Sequence, residues 1–178
     1  TRLNLAAPLY ARQTAASNQS RQAIFRGAKQ EIANVGSYES NIIKIADYAQ
    51  VSRATIYNQF ADKAEMFEAL VENEVIRLAD IARNAESKSA ALFQISREIS
   101  QSAALRKIVE TDPKDIAKLM TISEHPTWQL VGTFISEIFK TDTATCGVIL
   151  RWLIAQISAP LSAEQSQQQA ERLARLIS

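Results

Sequence analysis

Residues 37–112 contain no glycine and no proline, the two residues that most often interrupt regular secondary structure. A β-fold built from hairpins needs such residues at its turns, so a stretch of this length argues against one. Alanine, aliphatic residues, Glu, Gln and Arg dominate the chain, and these residues favour helices. Apolar residues make up 47% of the 178 residues, which is enough to bury a core. The sequence therefore predicts an all-α fold.

Helical periodicity and local start and stop signals predict ten helices along the chain. They cover residues 19–35, 42–49, 52–60, 63–84, 90–102, 103–110, 113–123, 127–140, 143–158 and 163–177. The fourth would span roughly 33 Å, so it must leave the N-terminal bundle and pack on the later helices. Residues 1–18 lack an apolar period and are expected to form a flexible arm, in which Arg2 and Arg12 either contact DNA or belong to an untethered tail.

Residues 40–63 read as two short helices joined by a tight turn, followed by the start of the long helix. Ser52 is expected to cap the second short helix, because its hydroxyl can accept from backbone N–H groups, and Asp62 is expected to cap the long one. The second helix presents hydrogen-bonding side chains, none of them acidic: Arg53, Thr55, Tyr57, Asn58 and Gln59. This pattern predicts a helix-turn-helix whose second helix enters the major groove of DNA.

Charge is distributed unevenly although the whole chain carries a net charge of only +1. Residues 1–63 hold eight Lys or Arg against four acids, whereas residues 64–178 hold twelve against fifteen. This asymmetry fits an N-terminal module that contacts DNA and a second module with another task. We therefore predict an arm at residues 1–18, a DNA-binding domain at 19–62 and a second helical domain at 63–178.

Residues 147–157 are apolar almost all round the helix axis, which is typical of a helix buried on several sides. A second copy of the chain is expected to cover one side, with the closing helix completing a four-helix interface across a two-fold axis. The residues predicted at this interface are Val148, Arg151, Trp152, Ala155, Ala170, Leu173, Ala174 and Ile177.

Large apolar side chains of the C-terminal part are candidates to line a cavity for a small ligand. They are Phe93, Met120, Trp128, Phe134 and Trp152. Packing within the core is the alternative interpretation for each of them.

The sequence lacks the familiar motifs of enzyme active sites. The chain has no glycine-rich phosphate loop, no HExxH and no GxSxG, and it contains one histidine and one cysteine. His125 and Glu124 are adjacent, but two ligands are too few for a metal site, and their spacing is wrong for one. We expect no enzyme activity, no metal and no cofactor; a carboxylate-based enzyme is the alternative that spacing alone leaves open.

Cys146 is the sole cysteine, which excludes an intrachain disulfide and favours a reducing compartment. Its thiol would sense oxidants if exposed and would be inert if buried. No stretch approaches the roughly 20 apolar residues needed to cross a bilayer. Residues 1–30 contain arginines and no acids, as organellar transit peptides do, but residues 19–30 already belong to a predicted helix. We expect a cytoplasmic protein with no membrane partner.

Residues 40–63 also carry a spaced set of residues that resembles the TetR family of bacterial transcriptional regulators. The resemblance begins at the first predicted helix and ends near residue 70. The matching residues, without a gap, are Gly36, Ser40, Ile45, Ala46, Ala49, Val51, Ser52, Thr55, Ile56, Tyr57, Phe60 and Lys63. Three positions depart from the family pattern: Gln50 replaces the usual turn glycine, Ala54 a frequent Gly or Pro, and Lys44 a frequent acid.

The resemblance implies a role for each exposed residue of the second helix. Arg53 and Ala54 would read base edges, since a guanidinium suits the guanine acceptors and a methyl group suits the thymine methyl. Asn58 would do either task. The residues expected to bind phosphates and fix the register are Ser40, Thr55, Tyr57, Gln59 and Lys63.

The resemblance also implies that residues 63–178 form a helical ligand-binding and dimerisation domain, in which helices eight and nine pair across a homodimer. The predicted function is a repressor that binds a palindromic operator in double-stranded DNA and is released by a small apolar or amphipathic ligand. One alternative is a helical protein-interaction adaptor that keeps the fold without reading DNA. Another is an activator or a global DNA-binding protein.

Overall fold

The computed structural model describes the backbone of residues 6–120 and 126–177, and the side chains of residues 14–117 and 126–177. These residues form ten α-helices and no strand, which confirms the predicted all-α fold. The helices are α1 (Ala6–Glu39), α2 (Ile42–Ala49), α3 (Arg53–Tyr57), α4 (Lys63–Arg83), α5 (Lys88–Gln101), α6 (Ala103–Thr111), α7 (Pro113–Met120), α8 (Pro126–Phe139), α9 (Thr143–Ser158) and α10 (Ala163–Ala174). Among the described helices, none is both long and apolar enough to span a membrane.

The first helix begins earlier than the sequence predicts, at Ala6 instead of near residue 19. Pro8 lies in the first turn of α1, where its missing N–H group needs no partner, and no other breaker occurs before Gly36 except the tolerated Gly27. The arm expected at residues 1–18 is therefore helical from Ala6 onward. Arg2 and the side chain of Arg12 lie outside the described residues, so their contact with DNA stays a prediction.

One hydrophobic cluster holds together α1, α2, α3 and the start of α4. Its most deeply buried members are Ile24, Ala28, Ile45, Ile56 and Met66. Gly27 lets α1 and α2 approach closely, because a Cβ atom there would lie 2.7 Å from the carbonyl oxygen of Ile45. This cluster fixes the orientation of the short α3 relative to α1.

A second hydrophobic cluster joins α4, α5, α8, α9 and α10. The helix α4 belongs to both clusters, since Met66 and Leu70 lie in the first and Ala82 lies in the second. As predicted, the long helix packs both on the N-terminal bundle and on the later helices α5 and α8.

The second cluster encloses a set of polar side chains that the apolar character of residues 147–157 did not predict. The Ser96 hydroxyl donates to Oε1 of Gln156 at 2.6 Å and pairs with Oγ of Ser166 at 2.8 Å. The Ser100 hydroxyl donates to the same Oε1 at 3.0 Å. All four residues are buried, and their bonds tie α5 to α9 and α10.

The closing helix α10 packs within its own chain, which corrects part of the predicted dimer interface. Ala170, Leu173 and Ile177 are buried in the second cluster, where α10 lies against α5. These side chains are already covered, so a partner subunit has no access to them. Ala174 is half-buried.

Candidate DNA-binding face and apolar cavity

The turn between α2 and α3 has the left-handed conformation that its usual glycine would adopt. Gln50 takes φ 54° and ψ 42°, which is uncommon for a residue with a Cβ atom. The Ser52 hydroxyl accepts from the N–H of Thr55 at 3.0 Å, and this confirms the predicted cap of α3. The predicted cap of α4 is also confirmed, because Asp62 accepts from the N–H of Glu65 at 2.8 Å.

The helix α3 buries one side and exposes the other. Ile56 is buried in the first cluster, whereas Arg53, Ala54, Tyr57 and Asn58 are exposed. Since no acidic side chain occurs in α3, the exposed side can face phosphates and base edges without charge repulsion.

Two other predicted contacts on this segment are less accessible. Thr55 is half-buried, and its hydroxyl pairs with that of Ser52 at 2.8 Å as part of the cap. Gln59 is half-buried, and its amide oxygen is buried.

Ser40 does not lie where a phosphate-binding residue would. Its side chain is 3% exposed, and its hydroxyl donates to the carbonyl oxygen of Gly36 at the end of α1. The cap of α2 is Asn41, which is exposed and accepts from the N–H of Lys44 at 3.0 Å. The helix α2 begins at Ile42 as predicted, but its cap is Asn41, and Ser40 points inward toward the end of α1.

Lys63 connects the start of α4 to the end of α1. Its ammonium group donates to the carbonyl oxygens of Tyr38 at 3.0 Å and Ser40 at 2.9 Å, and more weakly to that of Ser37 at 3.4 Å. A positive charge is favourable at the carbonyl end of a helix. In the structure, Lys63 therefore positions α1 relative to α4, and its contact with a phosphate stays a prediction.

Several exposed residues near the helix-turn-helix were not predicted as DNA contacts. Tyr38 is 77% exposed at the end of α1, and Lys44 and Tyr48 are exposed on α2. Tyr48 accepts a hydrogen bond from the amide of Asn34 at 3.1 Å. For Lys44 the sequence did hold an indication of DNA contact, because a cation stands where the family pattern often has an acid.

The end of α1 also contacts the end of α6, through Gly36, Ser37, Thr111 and Asp112; we call this the α1–α6 contact. The N–H and the hydroxyl of Ser37 donate to Oδ2 of Asp112 at 3.0 and 3.1 Å. Burial alone would raise the pKa of the Asp112 carboxyl, but hydrogen bonds from Thr111 and Ser37 hold that pKa below its usual value. The carboxylate therefore stays charged at neutral pH and keeps both donors.

A chain of ion pairs links α1, α4 and α5. Lys29 on α1 lies 2.8 Å from Glu74, and Glu74 lies 3.0 Å from Arg77. Arg77 also lies 2.7 Å from Glu98 on α5. Burial lowers the pKa of the Arg77 guanidinium, but hydrogen bonds and charge from Glu74 and Glu98 outweigh it and raise the pKa.

An apolar cavity of about 180 Å³ lies between α4, α5, α6, α8 and α9. Trp128 and Phe134, two of the predicted pocket residues, line it. Phe93 and Trp152 do not, since both pack on the second cluster, and the Trp152 indole donates to Gln169 at 2.7 Å. The side chain of Met120 and the whole of His125 lie outside the described residues.

On α9, Val148, Arg151 and Ala155 are exposed, and Val148 reaches 50% exposure. The spacing of three and four residues places them on one side of the helix. Cys146, near the start of the same helix, is half-buried. The outer side of α9 is thus uncovered in a single chain, whereas Ile149, Leu153 and Ile154 face the core.

The helix-turn-helix lies within a segment that matches a known protein family. Residues 24–70 match the family model for bacterial regulatory proteins of the tetR family. No curated protein gives a significant match to the chain.

Solved structures with the same fold include three bacterial regulators. The TetR family repressor AlkX from a Dietzia species, implicated in n-alkane biodegradation, superimposes with a TM-score of 0.63 at 18% identity, over 87% of this chain and 96% of AlkX. The fatty acid degradation regulator FadR from Bacillus halodurans gives 0.62 at 16% identity, over 88% and 93%. FadR from Bacillus subtilis, in complex with stearoyl-CoA, gives 0.56 at 14% identity, over 88% and 96%. The sequence match identifies residues 24–70 as a helix-turn-helix segment of the tetR-family type, and most of the chain shares the fold of such regulators.

Proposed function

We propose that the protein is a homodimeric repressor that reads a palindromic operator in double-stranded DNA and is released by a small molecule. The tetR-family match over residues 24–70 supports DNA binding rather than catalysis. The observation that carries the proposal is the exposed, acid-free side of α3 with Arg53, Ala54, Tyr57 and Asn58. The proposed repressor acts on DNA in the cytoplasm.

In the proposed complex, α3 of each subunit lies in the major groove. Arg53 donates to the guanine acceptors, and Ala54 contacts a thymine methyl. Tyr57 and Asn58 add contacts beside them, chiefly to phosphates, which fix the register without reading sequence. Two subunits related by a two-fold axis place their α3 helices roughly 34 to 36 Å apart, one turn of DNA.

The outer side of α9 supports dimerisation. Ala155→Glu places a charge on this side and is expected to convert the dimer into monomers, measurable by light scattering after size-exclusion chromatography. Operator affinity should fall with it, because each half-site is then bound singly. Ala117→Glu, on the exposed surface of α7, is the matched control and should remain dimeric. If the Ala155→Glu protein remained dimeric, α9 would not be part of the dimer interface.

The position of α4 supports release by a ligand. Val71, Val75 and Leu78 line the apolar cavity, and Met66 and Leu70 lie in the cluster that holds α3 in place. A ligand that binds better to a conformer with the wrong α3 separation lowers operator affinity by its differential affinity for the two conformers. The stearoyl-CoA complex of the similar FadR supports ligand binding in this fold.

Arg53→Ala tests base reading directly. We expect it to weaken binding to the preferred operator by about 1 to 3 kcal/mol while most non-specific binding is retained, because a bidentate contact to one base is lost. Arg106→Ala, on the exposed surface of α6, should leave both affinities unchanged. Equal affinity for every DNA sequence, before and after Arg53→Ala, would favour the adaptor function.

Selection of bound sequences from random DNA tests the proposal as a whole. A palindromic enriched site would establish DNA binding, specificity and two-fold symmetry together. Absence of any enriched site would overturn the repressor proposal, and a reporter gene under the selected site separates a repressor from an activator.

A further inference from the structure

The apolar cavity limits the chemistry of the ligand. Of the described residues that line it, all are apolar except Thr127, and none is charged. Its walls come from several helices, represented by Leu78 on α4, Ile99 on α5, Trp128 on α8 and Leu153 on α9. A ligand carboxylate or amide placed there would lose its water and gain no partner, which costs several kcal/mol for an amide and more for a charge.

We propose that this cavity binds a small, uncharged, hydrocarbon-like molecule without a charged headgroup. This inference rests on the proposed function, because it names the class of ligand that would release the repressor. Its basis is the volume of the cavity, its apolar lining and the pairing of the nearest charges.

The volume sets the size of the ligand. A dry apolar cavity of about 150 Å³ in another protein accommodates benzene, and the cavity here measures about 180 Å³. The ligand is therefore a compact ring or a short chain, of roughly six to ten carbon atoms. A long acyl chain with a bulky headgroup would have to extend from it into the neighbouring cavity of about 660 Å³, which shares part of its lining.

In the part of the chain that the structure describes, the charges next to the cavity do not provide a site for an anionic headgroup. A neighbouring cavity, between α1, α4, α5, α6 and α7, shares Val75, Leu78 and Ile99 with the first and includes the cations Lys29 and Arg77. Both cations are already paired, with Glu74 for Lys29 and with Glu74 and Glu98 for Arg77. A carboxylate would have to displace these acids, leaving a partly buried acid without its partner.

Matched ligand pairs test the charge requirement. Toluene is compared with benzoate and n-octane with octanoate, so that each pair differs mainly in a carboxylate. Binding to the full chain is measured by titration calorimetry and by the emission of Trp128 in a Trp152→Phe background, where Trp128 is the only tryptophan left. We expect saturable binding of toluene and n-octane, and binding of benzoate and octanoate weaker by at least tenfold.

A cavity-filling variant tests the location. Val131→Phe places a ring in the cavity and should weaken toluene binding at least tenfold, whereas Val35→Phe on α1, outside the cavity lining, should not. Circular dichroism checks that both variants fold. If Val131→Phe does not fold, ligands of increasing size test the location instead. Toluene should bind, and the larger anthracene should not.

Three outcomes would overturn the inference. They are saturable binding of benzoate, octanoate or octanoyl-CoA with no binding of the uncharged partners, toluene affinity unaffected in a folded Val131→Phe protein, and anthracene binding as tightly as toluene. Operator affinity is measured separately. Toluene binding without loss of operator affinity would leave the inference intact and refute release, whereas release by octanoyl-CoA alone would refute the inference and leave the repressor intact.

Discussion

Replacing Gly36 by alanine is expected to destabilise the protein by about 2 to 5 kcal/mol. Gly36 adopts φ 87° and ψ 174°, a region of backbone conformation that is essentially restricted to glycine and costs other residues about 1 to 3 kcal/mol. The added Cβ atom would also lie 2.2 Å from Oγ1 of Thr111 and 2.7 Å from Oδ2 of Asp112. Neither oxygen can move away freely, because Thr111 donates to the Lys107 carbonyl at 2.9 Å and Asp112 accepts from Ser37 at 3.0 Å.

Urea denaturation measures the change in the free energy of unfolding. The matched control is Gly132→Ala, in the interior of α8, where nothing lies within 4 Å of an added Cβ atom. That substitution should be neutral or stabilising by about 0.5 to 1 kcal/mol, because alanine favours a helix. Equal stability of the two variants would show that the α1–α6 contact contributes little.

Gly36→Ala also distinguishes an effect on stability from an effect on DNA binding. The α1–α6 contact joins the last turn of α6, beyond the cavity-lining Leu105, to the segment that precedes the helix-turn-helix. At a temperature where the Gly36→Ala protein is still folded, its operator affinity should be lower than that of the Gly132→Ala protein, since α1 is displaced from α6. Unchanged operator affinity would mean that the contact only stabilises the fold.

Features governed by neighbours in sequence were predictable. Ser52 and Asp62 were predicted as helix caps, and the structure confirms both, because a cap depends on residues two or three positions away. The all-α fold and the bounds of α9 were also predicted, since apolar periodicity and flanking breakers determine them. Only the start of α1 was far off.

Features governed by tertiary contacts were not predictable from one sequence. Ser40 was expected at the surface, but it lies buried against Gly36 because Asn41 provides the cap of α2. Phe93 and Trp152 were expected in the cavity, yet each packs outside its lining. An aromatic side chain in an apolar helix carries no signal of which neighbouring helix it faces.

The buried polar residue of α9 is expected to have a large effect on the stability of the core. Replacing Gln156 by alanine should destabilise the protein by about 3 to 5 kcal/mol. Gln156 is 2% exposed, and its Oε1 accepts from the hydroxyls of Ser96 at 2.6 Å and Ser100 at 3.0 Å. Without it, two buried hydroxyls lose an acceptor and a void remains where the side chain was. Gln167→Ala, on the exposed side of α10, is the control and should change stability by less than about 0.5 kcal/mol.

A second substitution distinguishes lost hydrogen bonds from lost volume. Gln156→Leu fills most of the space but still leaves the hydroxyl of Ser100 without its acceptor, so it should remain destabilising. Adding Ser100→Ala to Gln156→Leu removes the orphaned hydroxyl and should recover part of the stability, because replacing both partners by apolar groups can be nearly neutral. Stability measured for both single variants and the double variant gives the coupling energy between the two positions. A coupling energy near zero would assign the effect of Gln156→Ala to packing alone, and the polar cluster between α5 and α9 would then have no energetic role of its own.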